Sequence, residues 1–500
     1  MSVLHKTRPE VLPASSRNWG FGRSGRPAPE REPQLQFVPD RLLRVIKFGG
    51  TSVADAASIL QAATIAKQLS HECRLVVVVS AMRGITDKLV EAAQLAAAGK
   101  ADRVQEIFSN IRERHQQAAE NLLASPASRG RTHDEIVRIL DEGIRRCDQV
   151  REQRALTLEA LDFISGLGEC LSAPLFAAAL AELGIRSEAI AATELIVTDR
   201  NFGGAEPNMR LTRNRSRPRL GNLLSRHIVP VVTGFIGATP ERVPTTLGRN
   251  GSDFSATIVA AAIDADEVII WTDVNGVLSA DPRLVPTART IAELSYREGS
   301  ELARLGAKVL HYKTLSVLES SGTPVWIRST FAPEKRGTRI TPGIRLCGGG
   351  VAMTAMREIS LVRGTLPRAV RSRKAVKRAL HALADETNSL VLPGSAGQFS
   401  VVVRAPEASR TIKSFKRKLR PNARRSACKT SVTEELALIA MVSDDAVALS
   451  DTFSRVSDAL TKQNIAVLLA SRSAESGSFS LVVHQADFSC ALATAHREIE

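Results

Sequence analysis

Five consecutive apolar residues, LVVVV at 75–79, do most to restrict how this chain can fold. A strand without polar alternation is buried on both faces, which calls for a sheet covered by helices on each side. An earlier run, RVIKF (44–48), ends in Gly49 and Gly50 and leads into an Ala-rich amphipathic stretch. The 75–79 strand is likewise followed by a helical pattern, from about Gly84. Strand, helix, strand, helix in this order predicts a parallel sheet with helices packed on it. For the first helix the sequence offers Ser52 as N-cap with Asp55 as its capping partner, and an end near residue 69.

Residues 101–183 read as an all-helical insertion with Arg/Glu faces and Ala/Leu stripes. Strand signals return at IRSEAIAA (185–192), HIVPVVTGFIG (227–237), DEVIIWTD (266–273) and TPVWIRST (323–330). After residue 350 the rhythm changes, and two stretches each read as a strand, a helix and two further strands. The first uses ISLVRGTL (359–366), a helix near 370–386, SLVL (389–392) and QFSVVVRA (398–405). The second uses LALIAMVS (436–443), a helix near 450–463, IAVLLASR (465–472) and SFSLVVHQ (478–485). The expected plan is a disordered basic tail over 1–42, an α/β domain over 43–340, and two small α+β units over about 351–425 and 426–500.

The chain has 500 residues, enough for two or more domains. No apolar run approaches the roughly 20 residues that span a bilayer, so no membrane association is expected. Six cysteines (73, 147, 170, 347, 428 and 490) form no CxxC pair. That spacing argues against a zinc site or disulfide framework and for reduced thiols in a cytoplasmic protein. The tail carries Glu10, Glu30, Glu32 and Asp40, which argues against a transit peptide. The net charge of +15 gathers at 210–226, 367–380 and 410–425. Basic patches can bind nucleic acid. Here no aromatics interleave them, and aromatics make up only 4% of the chain, so base-stacking platforms are missing. The clusters are read as solvated helix faces on an enzyme that handles anions, without a nucleic-acid partner.

Four loops stand at the C-terminal ends of predicted strands, where open α/β sheets bind ligands. In Lys47-Phe48-Gly49-Gly50-Thr51-Ser52 the glycines let backbone N–H groups approach an anion, and Lys47 adds a mobile charge. The same residues could also form an ordinary glycine turn. In the loop from Ser80 to Thr86 the hydroxyls could hold a polar substrate or simply cap a helix. The third loop, TTLGRNGSD (245–253), carries Arg249, suited to bidentate carboxylate recognition, and Asp253, either a capping acid or a receiver of an ammonium group. The fourth combines Thr272-Asp273 with Arg283 and, further on, Lys308, a set that could hold a nucleotide and its phosphates.

Taken together and in this order, the motifs resemble those of the aspartate kinases of the amino-acid kinase family. The matching signatures are KFGGTSVA (47–54), GLGECLS (166–172), TDRNFGGAEP (198–207), TTLGRNGSDFSA (245–256), IWTDVNGVLSADPR (270–283) and GAKVLH (306–311). The resemblance is strong over 43–340 and extends to the C-terminal repeats, which are similar to the paired ACT regulatory units of those enzymes. It implies an α/β fold with an open, mostly parallel sheet sandwiched by helices, plus a C-terminal pair of α+β ACT-like units. It also implies transfer of the ATP γ-phosphoryl group, with Mg²⁺, to the β-carboxylate of L-aspartate, the first step of lysine, threonine and methionine biosynthesis.

A carboxylate nucleophile is already ionised and needs no general base, so catalysis reduces to positioning and positive charge. The resemblance gives Lys47 and Lys308 the transferring phosphoryl group. It gives Gly49, Gly50, Thr51, Ser52, Thr272, Asp273, Leu278, Arg283, Lys308 and Val309, with Lys47, to the nucleotide. Arg249 would clamp the substrate α-carboxylate, Glu169 and Asp253 would receive its ammonium, and Ser80, Thr86 and Ser252 would complete the pocket. No residue is assigned to a metal. Implied partners are a second copy, as a homodimer or larger assembly through the ACT-like units, and an amino-acid effector.

The chain departs from the pattern at Leu278, where the family often has Tyr, at Gly166 and at Tyr312. In the first repeat, over 372–403, Val391 falls near an acidic position of lysine-sensitive relatives and basic residues fill the helix entry. Feedback by lysine or threonine is not expected from that repeat. The competing readings are a sister kinase acting on another acidic substrate, and the kinase part of a fused aspartate-pathway enzyme. A silent ligand sensor fits poorly with retention of Lys47, Glu169, Arg249, Asp253, Asp273 and Lys308.

Overall fold

The computed structural model describes residues 41–307, 312–343, 350–365, 390–393, 398–418, 429–473 and 477–499. They fall into two compact units that meet in sequence between Ile263 and Asp264.

In the first unit, β1 (Leu43–Phe48), β2 (Arg74–Val79), β3 (Ser187–Ile190) and β4 (Val229–Thr233) lie in the order β3-β4-β2-β1, each neighbour parallel to the next. Val76 to Val79 are completely buried, as an unbroken apolar strand requires. Two short strands, β5 (Ile236–Ala238) and β6 (Pro244–Thr246), form a separate antiparallel pair.

The first helix, α1 (Ala56–Glu72), starts later than the sequence suggested. Asp55 is its N-cap, accepting the Ser58 N–H at 2.8 Å, while the Ser52 N–H closes a turn onto the Gly49 carbonyl at 2.9 Å. Ser52 is fully buried. Both residues are good caps by type, and the turn at 49–52 decides between them. Residues 51–55 therefore separate the glycine pair from the first helical turn.

After α2 (Ile85–Ala97) the helical insertion consists of α3 (Ala101–Leu122), α4 (Pro126–Gln153), α5 (Leu158–Ser165) and α6 (Leu167–Glu182). Ser125 and Thr157 cap α4 and α5, and Gly166 ends α5 where α6 begins. The α5–α6 stretch, Leu158–Glu182, is long and apolar enough to cross a bilayer, yet 83% of its apolar window is buried inside the protein. Its burial shows the reason for that composition: α6 packs against β2, β3 and β4 as a core helix.

Part of the basic excess has an internal use. Arg213 and Arg217 of α7 (Met209–Ser225) donate to the carbonyls of Ala261 and Ala262, at 3.4 and 2.9 Å. Those carbonyls end α8 (Gly251–Ile263), where no intrahelical donor remains. Arg219 pairs with Glu188 at 2.6 Å.

In the second unit, β7 (Glu267–Thr272), β8 (Glu293–Ser295), β9 (Val325–Ser329) and β10 (Thr338–Thr341) run in the order β7-β9-β10-β8, and only the β9–β10 pair is antiparallel. Helices α9 (Tyr296–Arg304) and α10 (Tyr312–Ser316) accompany them. The C-terminal repeats share one antiparallel sheet of six strands. These are β11 (Ala352–Thr365), β12 (Leu390–Pro393), β13 (Gln398–Arg404), β14 (Lys429–Val442), β15 (Leu469–Ser473) and β16 (Ser478–His484), in the order β12-β13-β11-β14-β16-β15. The repeats are joined by the long β11–β14 ladder at the centre.

Each repeat also closes with a helix beyond the expected strand–helix–strand–strand pattern: α11 (Ala408–Lys418) in the first and α13 (Phe488–Ile499) in the second, which also contains α12 (Ala446–Lys462). The helix predicted near 370–386 lies outside the described residues. Helix α9 is tied to this sheet by an Arg297–Asp444 ion pair at 2.5 Å and by the Ser478 hydroxyl donating to Glu301 at 2.6 Å. Cys73, Cys147, Cys170 and Cys490 are all unbridged.

Candidate active site

A cleft of about 320 Å³ opens in the first unit beside the C-terminal ends of β1, β2 and β4. It is at the small end of the range for ligand clefts, about 300–1,000 Å³. Lys47 reaches it from β1, Ser80 from the end of β2, Thr86 from α2 and Glu169 from α6. The rest of the lining is Phe235 and the continuous stretch Gly248 to Asp253.

Close packing of the first two loops sets this floor. A Cβ on Gly50 would come within 3.0 Å of the Ala81 carbonyl oxygen, and the Arg83 N–H donates to the Gly50 carbonyl at 3.1 Å. Glycine at position 50 thus serves loop-to-loop contact. Arg114 of α3 clips the two loops together, donating to the carbonyls of Ala54 and Arg83 at 2.8 Å each. On the opposite side Phe235 and Asn250 adopt left-handed backbone conformations, φ +66° and +55°. Such residues are strained and concentrate where the chain must turn a side chain into a site.

Charge is concentrated and mostly buried here. Lys47 Nζ lies 2.5 Å from Asp253 Oδ1, and the two residues are 8% and 6% exposed. Asp253 stands in the first turn of α8, where the helix dipole favours an anion. Glu169 stands in the first turn of α6 and is 3% exposed. Its burial pushes the carboxyl up to about 8, against the pull of the Ala81 N–H hydrogen bond and the Lys47 charge. Its Oε2 has no hydrogen-bond partner among the described residues. The unfilled Oε2 acceptor is open to a donor, and an ammonium group that drives off the carboxyl proton would meet a buried carboxylate there. Arg249 is exposed at the rim, where its guanidinium is open to an anion.

The cleft brings together Lys47, Ser80, Thr86, Glu169, Arg249, Ser252 and Asp253, which the sequence picked out from four separate segments. Of the first-loop residues expected at the nucleotide, Gly49 is buried, and Gly50 and Thr51 are half-buried. In the second unit, Thr272 ends β7 and its hydroxyl donates to the exposed Asp273 at 3.2 Å. Leu278 bridges to Thr290. Arg283 is exposed and paired with Asp281 at 2.9 and 2.6 Å, a contact that raises the guanidinium further. Lys308 and Val309 lie outside the described residues.

The sequence reading did not single out Phe235, although a phenylalanine between glycines just past a strand end was the available signal. It also missed Asp162, a buried acid on α5, because nothing in its own helix marks it.

Residues 43–329 match the Amino acid kinase family, and the chain belongs to that family. Over 317 residues it is 34% identical to Aspartokinase 3, chloroplastic, of Arabidopsis thaliana, covering 62% of this chain and 54% of that one. Over 302 residues it is 35% identical to Lysine-sensitive aspartokinase 3 of Escherichia coli, covering 59% and 63%. The chain thus matches a little over half the length of the Arabidopsis relative. Among solved structures, E. coli aspartokinase III in complex with aspartate and ADP (R-state) superposes with a TM-score of 0.78 at 26% identity, covering 91% of this chain and 99% of that one.

Proposed function

We propose that this protein is an aspartate kinase, transferring the γ-phosphoryl group of ATP to the β-carboxylate of L-aspartate. The observation that carries the reading is the convergence of Lys47, Glu169, Arg249 and Asp253 on one small cleft. The cleft offers one cation for an α-carboxylate, two acids for an ammonium group and a buried lysine for the reacting end. The solved relative described with aspartate and ADP supports the same reading.

The residues suggest an order of events. Arg249 holds the α-carboxylate of the incoming amino acid. Its ammonium approaches Glu169, which releases its proton to solvent, and Asp253, which then shares its charge between two cations. Lys47 is thereby loosened from Asp253 and can turn towards the transferring phosphoryl group. The β-carboxylate attacks the γ-phosphorus without a general base as the bond to the β–γ bridging oxygen breaks and ADP leaves, and repulsion between the two anions is offset by Lys47 and, on the nucleotide side, Lys308. Mg²⁺, if brought by the nucleotide, would supply further positive charge against the phosphates, and none of these residues is assigned to hold it. Thr272, Asp273, Leu278 and Arg283 form the nucleotide side of this reading. A hydroxamate assay with ATP, Mg²⁺ and, in turn, aspartate, glutamate and N-acetylglutamate tests it: turnover is expected with aspartate, and turnover with only another acid would redirect the reading to a sister kinase.

Residues 43–340 are proposed as the catalytic domain, and 351–500 as two ACT-like units that bind an effector and support dimerisation. Light scattering should show a dimer or larger assembly. Titration with lysine and threonine, alone and together, should give little inhibition. Strong inhibition by either would show that the departures in the first repeat leave feedback intact.

A further inference from the structure

Asp162 is 3% exposed and fastens two loops that are far apart in sequence. Its Oδ2 accepts the Gly203 N–H at 2.9 Å and the Thr246 N–H at 2.8 Å, and its Oδ1 accepts the Thr246 hydroxyl at 2.8 Å. The two loops are also joined directly, since the Ala205 N–H donates to the Thr246 carbonyl at 2.9 Å. Gly248, at φ +79°, passes so close to the partner loop that a Cβ there would lie 3.2 Å from the Gly203 carbonyl oxygen. One residue further on stands Arg249, at the rim of the cleft.

The geometry points to Asp162 as a positioning residue for Arg249, holding the 246–249 strand of chain against the 203–205 loop so that the guanidinium meets the substrate carboxylate. This inference rests on the reading of the cleft as an amino-acid site. A carboxylate suits the task because three donors converge on it, and the two from Thr246 are buried while the one from Gly203 is half-covered. Without it, two backbone N–H groups and a hydroxyl lose their acceptor, and a buried donor without a partner moves towards solvent. Displacement of the loop carries Arg249 with it, and a misplacement of about 1 Å in a positioning group can lower turnover by about 100-fold.

Asparagine can keep the whole arrangement. Its amide oxygen in the place of Oδ2 accepts both N–H groups, and its NH₂ donates to Thr246 Oγ1, whose hydroxyl hydrogen turns away.

The test uses the full-length chain. Asp162→Ala is expected to raise the KM for aspartate by about 10- to 100-fold, with the KM for ATP unchanged. Asp162→Asn should bring the aspartate KM back close to that of the wild type. Thr246→Val, which removes only the hydroxyl donor, should give an intermediate rise, and it serves as the deciding variant if Asp162→Ala does not fold. Independently of any substrate, trypsin cleavage after Arg249, followed by mass spectrometry, should accelerate in Asp162→Ala and Thr246→Val but not in Asp162→Asn.

A loss of kcat or of thermal stability with the aspartate KM and the Arg249 cleavage rate unchanged would overturn the inference, because it would show a purely structural role. If the wild type turns over no aspartate, the substrate reading fails, and the cleavage series alone decides whether Asp162 orders the Arg249 loop.

Discussion

Replacing Lys47 with alanine is expected to lower kcat by about 10²- to 10³-fold while ATP still binds, the loss that follows removal of one preorganised group stabilising transition-state charge. Lys47 is buried at the penultimate position of strand β1, so its charge acts in a medium of low dielectric where it is worth far more than in water. The substitution also leaves Asp253 without the cation 2.5 Å away. Breaking a buried pair by removing one partner costs about 3–5 kcal/mol, because the remaining charge stays uncompensated. A fall in activity could then reflect a weakened fold.

The double variant Lys47→Met with Asp253→Asn separates the two effects, since it removes both charges. It should recover most of the thermal stability lost by Lys47→Ala and none of the activity. The measurements are hydroxamate turnover, calorimetric ATP binding and melting temperature for the single and double variants. Wild-type kcat in Lys47→Ala would take this lysine out of the mechanism.

The parts of the fold that were legible in the sequence are those where one local pattern decides. The unbroken LVVVV run, short and almost all β-branched, read as a strand buried on both faces, and the β11–β14 repeats announced themselves by two matching apolar rhythms. Lys47, Arg249 and Asp253 were legible because each stands at or just after a strand end and is a residue type with few bland uses there, whereas Glu169, where one helix follows another, was marked only by the GLGECLS signature of the resemblance. What escaped depends on distance. Ser52 and Asp55 are equally good caps when read locally, and the turn onto Gly49 selects Asp55. Asp162 looks like any helical acid until Gly203 and Thr246 arrive from 41 and 84 residues away. The helix α11 reads as a run of basic residues, RTIKSFKRK, whose charge hides its apolar stripe. The purpose of the arginines in α7 was equally hidden, since the carbonyls they meet belong to the far end of α8.

Glu169 yields a pH dependence whose sign can be worked out. Its carboxyl titrates near 4.5 when exposed and is raised to about 8 in the folded chain, first by burial. Between those values the folded protein holds a proton that the unfolded chain has lost. Stability attached to this group is therefore fully present below about 4.5, falls as pH rises, and is lost once pH passes about 8. Glu169→Gln removes the titration, so the ligand-free variant should melt above the wild type at pH 8 and alongside it near pH 5.

Binding runs the other way, because an ammonium group is attracted to the carboxylate and not to the neutral acid. Below pH 8 the substrate must drive off the proton, so the aspartate KM of the wild type should fall by up to about tenfold per unit as pH rises from 6 to 8. In Glu169→Gln the KM should be higher at pH 8 and nearly independent of pH. Calorimetry in two buffers of different ionisation enthalpy would count the released proton directly. A wild-type KM that does not vary with pH, with no proton released on binding, would mean that Glu169 is not where the ammonium sits, leaving Asp253 as the acid that receives it.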